Sequence, residues 1–66
     1  MDVWINGEPR SIAQGTSVSD LLGELGYKDF FVAIAINGIC IARKSYPETP
    51  VVPGDKLEIL APMAGG

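Results

Sequence analysis

The chain has 66 residues, a formal net charge of −3, 47% hydrophobic residues, one cysteine and no histidine. This is enough for one small domain with a modest core, and the spaced apolar positions mark a globular sequence rather than a disordered one. The composition excludes an internal disulfide framework, a cysteine-built metal cage and histidine chemistry, and the acidic balance argues against a nucleic-acid surface.

In chain order, Asp2 to Asn6 reads as a strand with Val3 and Ile5 on one face and Trp4 on the other. Asn6-Gly7 is the preferred pair for a two-residue type I′ hairpin turn, because both positions need positive φ. Pro9 opens the return strand, where a missing N–H is tolerable on a sheet edge, and Arg10-Ser11-Ile12 continues it. Ala13 to Thr16 reads as a loop. Ser17 is placed to cap a helix, with Asp20 three residues on as its capping-box partner. Val18, Leu21, Leu22 and Leu25 follow helical spacing and form one apolar stripe. Gly26 suits a left-handed C-terminal cap, with Tyr27 folding back on the last turn. Gly23, mid-helix on the polar side, costs about 1 kcal/mol relative to Ala and has no evident reason to be there.

Phe31 to Ile36 reads as a strand with Val32, Ile34 and Ile36 on one face and Phe31, Ala33 and Ala35 on the other. Asn37-Gly38 turns it into Ile39-Cys40-Ile41. Arg43 to Pro53 is polar and irregular, with a short helical turn around Lys44-Ser45-Tyr46 and Tyr46 as its anchor. Pro53-Gly54-Asp55 is a tight turn launching Lys56 to Leu60, with Leu57 and Ile59 inward.

One amphipathic helix must cover one face of a mixed sheet of four to five strands. Pairing the last strand parallel to the first, in a central slot, gives the α+β arrangement of a β-grasp. Residues 1–60 are then the domain, and residues 61–66, Ala61-Pro62-Met63-Ala64-Gly65-Gly66, are a flexible tail. Two glycines bury no side chain and lose much backbone entropy on ordering, but they make a thread narrow enough for a tight channel. Pro62 stiffens its base.

No apolar run is long enough to cross a bilayer. Met1-Asp2-Val3-Trp4 lacks the basic segment and apolar run of a signal peptide, so a cytoplasmic location is expected. The acidic residues show no catalytic spacing, and no glycine-rich phosphate loop precedes the helix. Neither an enzyme active site, a metal site nor a bound cofactor is expected.

Several stretches together resemble the ThiS family of thiamine-biosynthesis sulfur carriers. They are Ile5-Asn6-Gly7, Gly15-Thr16-Ser17-Val18 leading to Leu21-Leu22, and Val32 to Gly38. Arg43, Pro53-Gly54-Asp55 and Leu57 to Leu60 running into Pro62-Met63-Ala64-Gly65-Gly66 complete the pattern. The resemblance spans essentially the whole chain and lies in the order and spacing of these stretches. It implies a ubiquitin-like β-grasp and a specific chemistry. An E1-like adenylyltransferase, using ATP, would adenylate Gly66. A sulfur donor such as a cysteine desulfurase would supply the sulfur for a thiocarboxylate. Thiazole synthase would receive it. Pro62, Met63, Ala64 and Gly65 would enter the partner's active site, and the free protein would be a monomeric co-substrate.

Alternation places Trp4 and Leu60 on the sheet face away from the helix, with small Ala33 and Ala35 expected between them. Such an exposed apolar patch suits partner docking. Cys40 reads as a small apolar strand residue rather than a sulfur-transfer thiol, and Glu24, Glu48 and Glu58 as solvated surface. Two alternatives stay open. One is the small subunit of molybdopterin synthase, although the aromatic-Pro-Pro run typical of those tails is absent. The other is a β-grasp module that only binds a partner or is conjugated to lysines.

Overall fold

The computed structural model describes residues 1–27 and 32–60. Within them lie β1 (Asp2–Ile5), β2 (Glu8–Ser11), α1 (Val18–Glu24), β3 (Ala33–Ile36), β4 (Ile39–Ile41), a 3-10 helix (Arg43–Glu48) and β5 (Lys56–Leu60). The strands form one sheet in the order β2-β1-β5-β3-β4. β5 runs parallel to β1 and antiparallel to β3, and the two hairpins flank it. This is the β-grasp arrangement that the element order predicts. The expected start of the third strand at Phe31 lies outside the described residues, as does the expected tail 61–66.

Both hairpins close as the Asn-Gly pairs require: φ is 51° and 84° at Asn6 and Gly7, and 52° and 85° at Asn37 and Gly38. β1 and β2 are extended by Met1 and Ile12, whose backbone groups exchange two hydrogen bonds of 2.8 Å. Pro9 sits on β2, an edge strand with every residue exposed, where its missing donor leaves no ladder bond unmade.

The short helix is held at both ends. The Ser17 side chain accepts from the Asp20 N–H at 3.0 Å, and the Asp20 carboxylate accepts from the Ser17 N–H at 3.4 Å, completing the capping box. At the other end Gly26, at φ 87°, donates to Gly23, and the Tyr27 N–H donates to the Leu22 carbonyl at 2.9 Å. That pair of bonds is the Schellman closure, and it satisfies carbonyls the helix leaves open. The helix ends one residue earlier than the apolar stripe, because Leu25 is its C-cap. Tyr27 folds back through its backbone while its ring stays partly exposed.

The core lies between helix and sheet. Val18, Leu21 and Leu22 join Val3, Val32, Ile34, Leu57 and Ile59 in one buried cluster, and Leu25 packs against it. Tyr46 is fully buried in the same cluster, and its hydroxyl donates to the Val32 carbonyl at 3.0 Å. Burying an aromatic ring with its hydroxyl satisfied pins the irregular segment without a polar penalty. The segment that follows is tied to the helix start: the Val18 N–H donates to Thr49 and the Val51 N–H to Thr16, both at 2.9 Å. No helix among the described residues is long and apolar enough to cross a membrane.

Candidate docking face and strand exit

Strand alternation sends Leu57 and Ile59 of β5 into the core and Lys56, Glu58 and Leu60 to the opposite, open face. Trp4 is 44% exposed and Leu60 71% exposed on that face. Ala33 is exposed and Ala35 half-buried. All four sequence-selected docking residues therefore share one side of the sheet.

Their arrangement differs from the expected one. The alanines do not lie between Trp4 and Leu60. β5 separates β1 from β3, so Lys56 stands beside Trp4, Glu58 beside Ala35, and Leu60 beside Ala33. The reason is topological: the last strand takes the central slot, and its own outward residues fill the middle of the face. The result is an apolar patch at Leu60–Ala33 and another at Trp4, with a Lys-Glu pair of residues along the strand between them. Trp4, Asn6, Gly7, Lys56, Leu57 and Glu58 line an open groove of about 780 Å³ there. The outward residues Lys56 and Glu58 were legible from alternation; their neighbours across the sheet were not.

Cys40 lies on β4 as the cross-strand partner of Ala35 and is exposed. Among the described residues no group of His, Cys, Asp or Glu side chains could hold a metal ion. Pro62, Met63, Ala64, Gly65 and Gly66 lie outside the described residues.

Two asparagines that the sequence marks only as turn formers also bind β5. The Asn37 N–H donates to the Lys56 carbonyl at 2.8 Å, and its Oδ1 accepts from the Lys56 N–H at 3.0 Å. Asn37 Nδ2 donates to the Asp55 carboxylate at 3.1 Å, whose other oxygen accepts from the Val52 N–H at 2.9 Å. The carboxylate of Asp55 is buried and satisfied within the turn that starts the strand. At the far end, Asn6 Oδ1 accepts from the Ile59 N–H at 2.8 Å. No spacing rule would have flagged either contact, because each joins residues that only the sheet brings together.

The model of the ThiS family matches residues 3–66. A sulfur carrier protein ThiS of Thermus thermophilus is 36% identical over 64 residues, covering 97% of this chain and 98% of that protein. A thiazole synthase of Paramagnetospirillum magneticum is 42% identical over 66 residues, covering all of this chain and 20% of that protein. The chain thus spans about a fifth of the length of that relative. The crystal structure of a thiamine biosynthesis protein (ThiS) from Geobacter metallireducens superposes with a TM-score of 0.84 at 32% identity, covering 100% of both chains. Sequence match, matching length and shared ubiquitin-like β-grasp agree: the chain belongs to the ThiS family.

Proposed function

We propose that this protein is the sulfur carrier for thiazole formation in thiamine biosynthesis. The observation that carries this reading is the family match from residue 3 to 66, together with a sulfur carrier protein that aligns with this chain over 98% of its own length. The similarity of the whole chain to part of a thiazole synthase supports that enzyme as the sulfur acceptor.

In this reading residues 1–60 are a folded handle and residues 61–66 a reactive tail. The chemistry is at Gly66. A terminal carboxylate is ionised at neutral pH and is a poor acylating group. Within an E1-like partner its oxygen attacks the α-phosphorus of ATP, pyrophosphate leaves, and an acyl-adenylate forms. A sulfur nucleophile then attacks the acyl carbon and AMP departs. When a cysteine desulfurase persulfide is the donor, a thiol cleaves the resulting S–S bond and releases the thiocarboxylate. The partners hold the nucleotide and do the catalysis. This chain is a co-substrate with no cofactor of its own, working in the cytoplasm, a reducing compartment that suits the free thiol of Cys40. The docking surface is the open sheet face carrying Trp4, Ala33, Ala35 and Leu60. Pro62, Met63, Ala64 and Gly65 lead into the partner's active site.

With ATP, an E1-like adenylating enzyme and a sulfur donor, the protein is expected to exchange one oxygen for one sulfur at Gly66. Intact-mass spectrometry with fragmentation of the last residues locates it. Deleting Gly66 should abolish the exchange, and Gly65→Val should nearly abolish it, because a β-branched side chain stiffens and widens the thread. Sulfur on Cys40 instead, or thiazole formation from the Gly66 deletion, would end this reading.

A further inference from the structure

The last residue of β5 with a partner on β1 is Leu57, which pairs with Ile5. Beyond it the first hairpin turns away, because Asn6 and Gly7 take positive φ. In a continued parallel ladder the residue that donates to the Leu57 carbonyl would also accept from the Ile59 N–H, through its own carbonyl. That residue is Asn6, and its side-chain oxygen takes the place of the backbone carbonyl. Asn6 donates its own N–H to the Leu57 carbonyl at 2.9 Å, as a strand residue would. Its Oδ1 then accepts from the Ile59 N–H at 2.8 Å, and its Nδ2 lies 3.4 Å from the Ile59 carbonyl as a weaker donor. On the opposite edge β3 reaches as far as the Ala33–Leu60 pair. Both edges of β5 are thereby held up to the point from which residues 61–66 continue.

We infer that Asn6 is a positioning residue for the tail: its side chain prolongs the β1 ladder so that the chain leaves β5 from a fixed backbone position. The inference rests on the sulfur-carrier reading. A reacting carboxyl at the end of a six-residue thread must meet ATP with its atoms aligned, and small misplacements of reacting groups cost large factors in rate. If the Ile59 pair opens, the base of the thread wanders and the aligned fraction falls. The proposed docking residues Trp4, Ala33, Ala35 and Leu60 are untouched by opening that pair, and because Asn6 also lines the groove beside Trp4, binding is measured separately from turnover. The expected defect therefore lies in turnover of the bound carrier rather than in its binding.

Asn37 supplies the control. It makes the same kind of turn and binds β5 by the same chemistry, but at Lys56, the end remote from the tail. Asn6→Gly and Asn37→Gly both keep the hairpin backbone, since glycine takes positive φ freely. Three quantities are measured where both variants are folded. They are the single-turnover rate of thiocarboxylate formation with saturating adenylating enzyme, the Kd for that enzyme, and hydrogen exchange at the Ile59 amide. Asn6→Gly should lose Ile59 protection and slow the rate on the order of tenfold with Kd unchanged. Asn37→Gly should keep the rate. Asn6→Asp, which retains the acceptor oxygen, should recover most of the loss. If Asn6→Gly does not fold, the same comparison is made in a Gly23→Ala background, where the better helix former offsets the lost bond. An unchanged rate at position 6, a loss confined to Kd, or equal slowing by Asn37→Gly overturns the inference while leaving the sulfur-carrier reading intact. Absence of any ATP-dependent mass change in the unsubstituted protein removes that reading, and this inference with it.

Discussion

Gly23 stands on the exposed side of α1, and a Cβ built there meets nothing within 4 Å among the described residues. None of these residues uses its missing side chain. Gly23→Ala should therefore stabilise the protein by about 1 kcal/mol, through the unfolded chain as much as the helix. Thermal denaturation followed by circular dichroism should show a rise of several degrees; no rise would mean that the backbone there is not ordinary helix. Gly26, three residues on, is the opposite case: at φ 87° it closes the helix, and a Cβ would be strained whatever the space. The sequence distinguished these two glycines by position alone, one inside the apolar period and one just after it. Asn6 and Asn37 were legible only in part. Turn chemistry announces the positive φ, but the side-chain bonds to β5 span 53 and 19 residues, and no local pattern encodes a partner that far away.

The elements carry the helix–sheet contract most clearly in Leu22, which is fully buried in the cluster beneath the sheet. Leu22→Ala removes most of that side chain from the core and should cost about 2–5 kcal/mol. In a domain this small that is a large share of the total stability. The midpoint of guanidinium denaturation should fall steeply at an unchanged slope, and a small shift would show that the stripe faces elsewhere. The stripe, the capping box and the β5 alternation were all readable because each is a short-range period with a physical cause. The segment from Arg43 to Pro53 was readable only as far as its anchor. Tyr46 was identified as the residue to bury, but the pairing of Thr49 and Val51 with Val18 and Thr16 was not, since irregular backbone carries no period from which to infer a partner.

For the whole molecule the decisive feature is the central position of β5. It brings the end of the described chain to the middle of the sheet and places Lys56 and Glu58 within the open face proposed for docking rather than at its rim. Ala35 lies beside Glu58 there, half-buried, and a longer side chain can extend over the open face with its charge in water. Ala35→Arg should therefore fold normally and weaken binding to the adenylating enzyme by roughly tenfold or more, about 1.4 kcal/mol, because a partner seated on the face must desolvate the new charge. Calorimetry showing unchanged affinity in a folded variant would remove this face from the account. The sequence by itself determined the strands, the two Asn-Gly turns, the capped helix, the inward and outward faces and, through their order, the β-grasp. These follow from local periods of two and 3.6 residues and from backbone chemistry confined to a few neighbours. Only the tertiary structure decided which outward residues stand side by side, that Cys40 is exposed beside Ala35, and that Asn6 completes the ladder at Ile59. Those depend on register between strands far apart in sequence, which hydrophobic alternation restricts to one face but does not assign residue by residue.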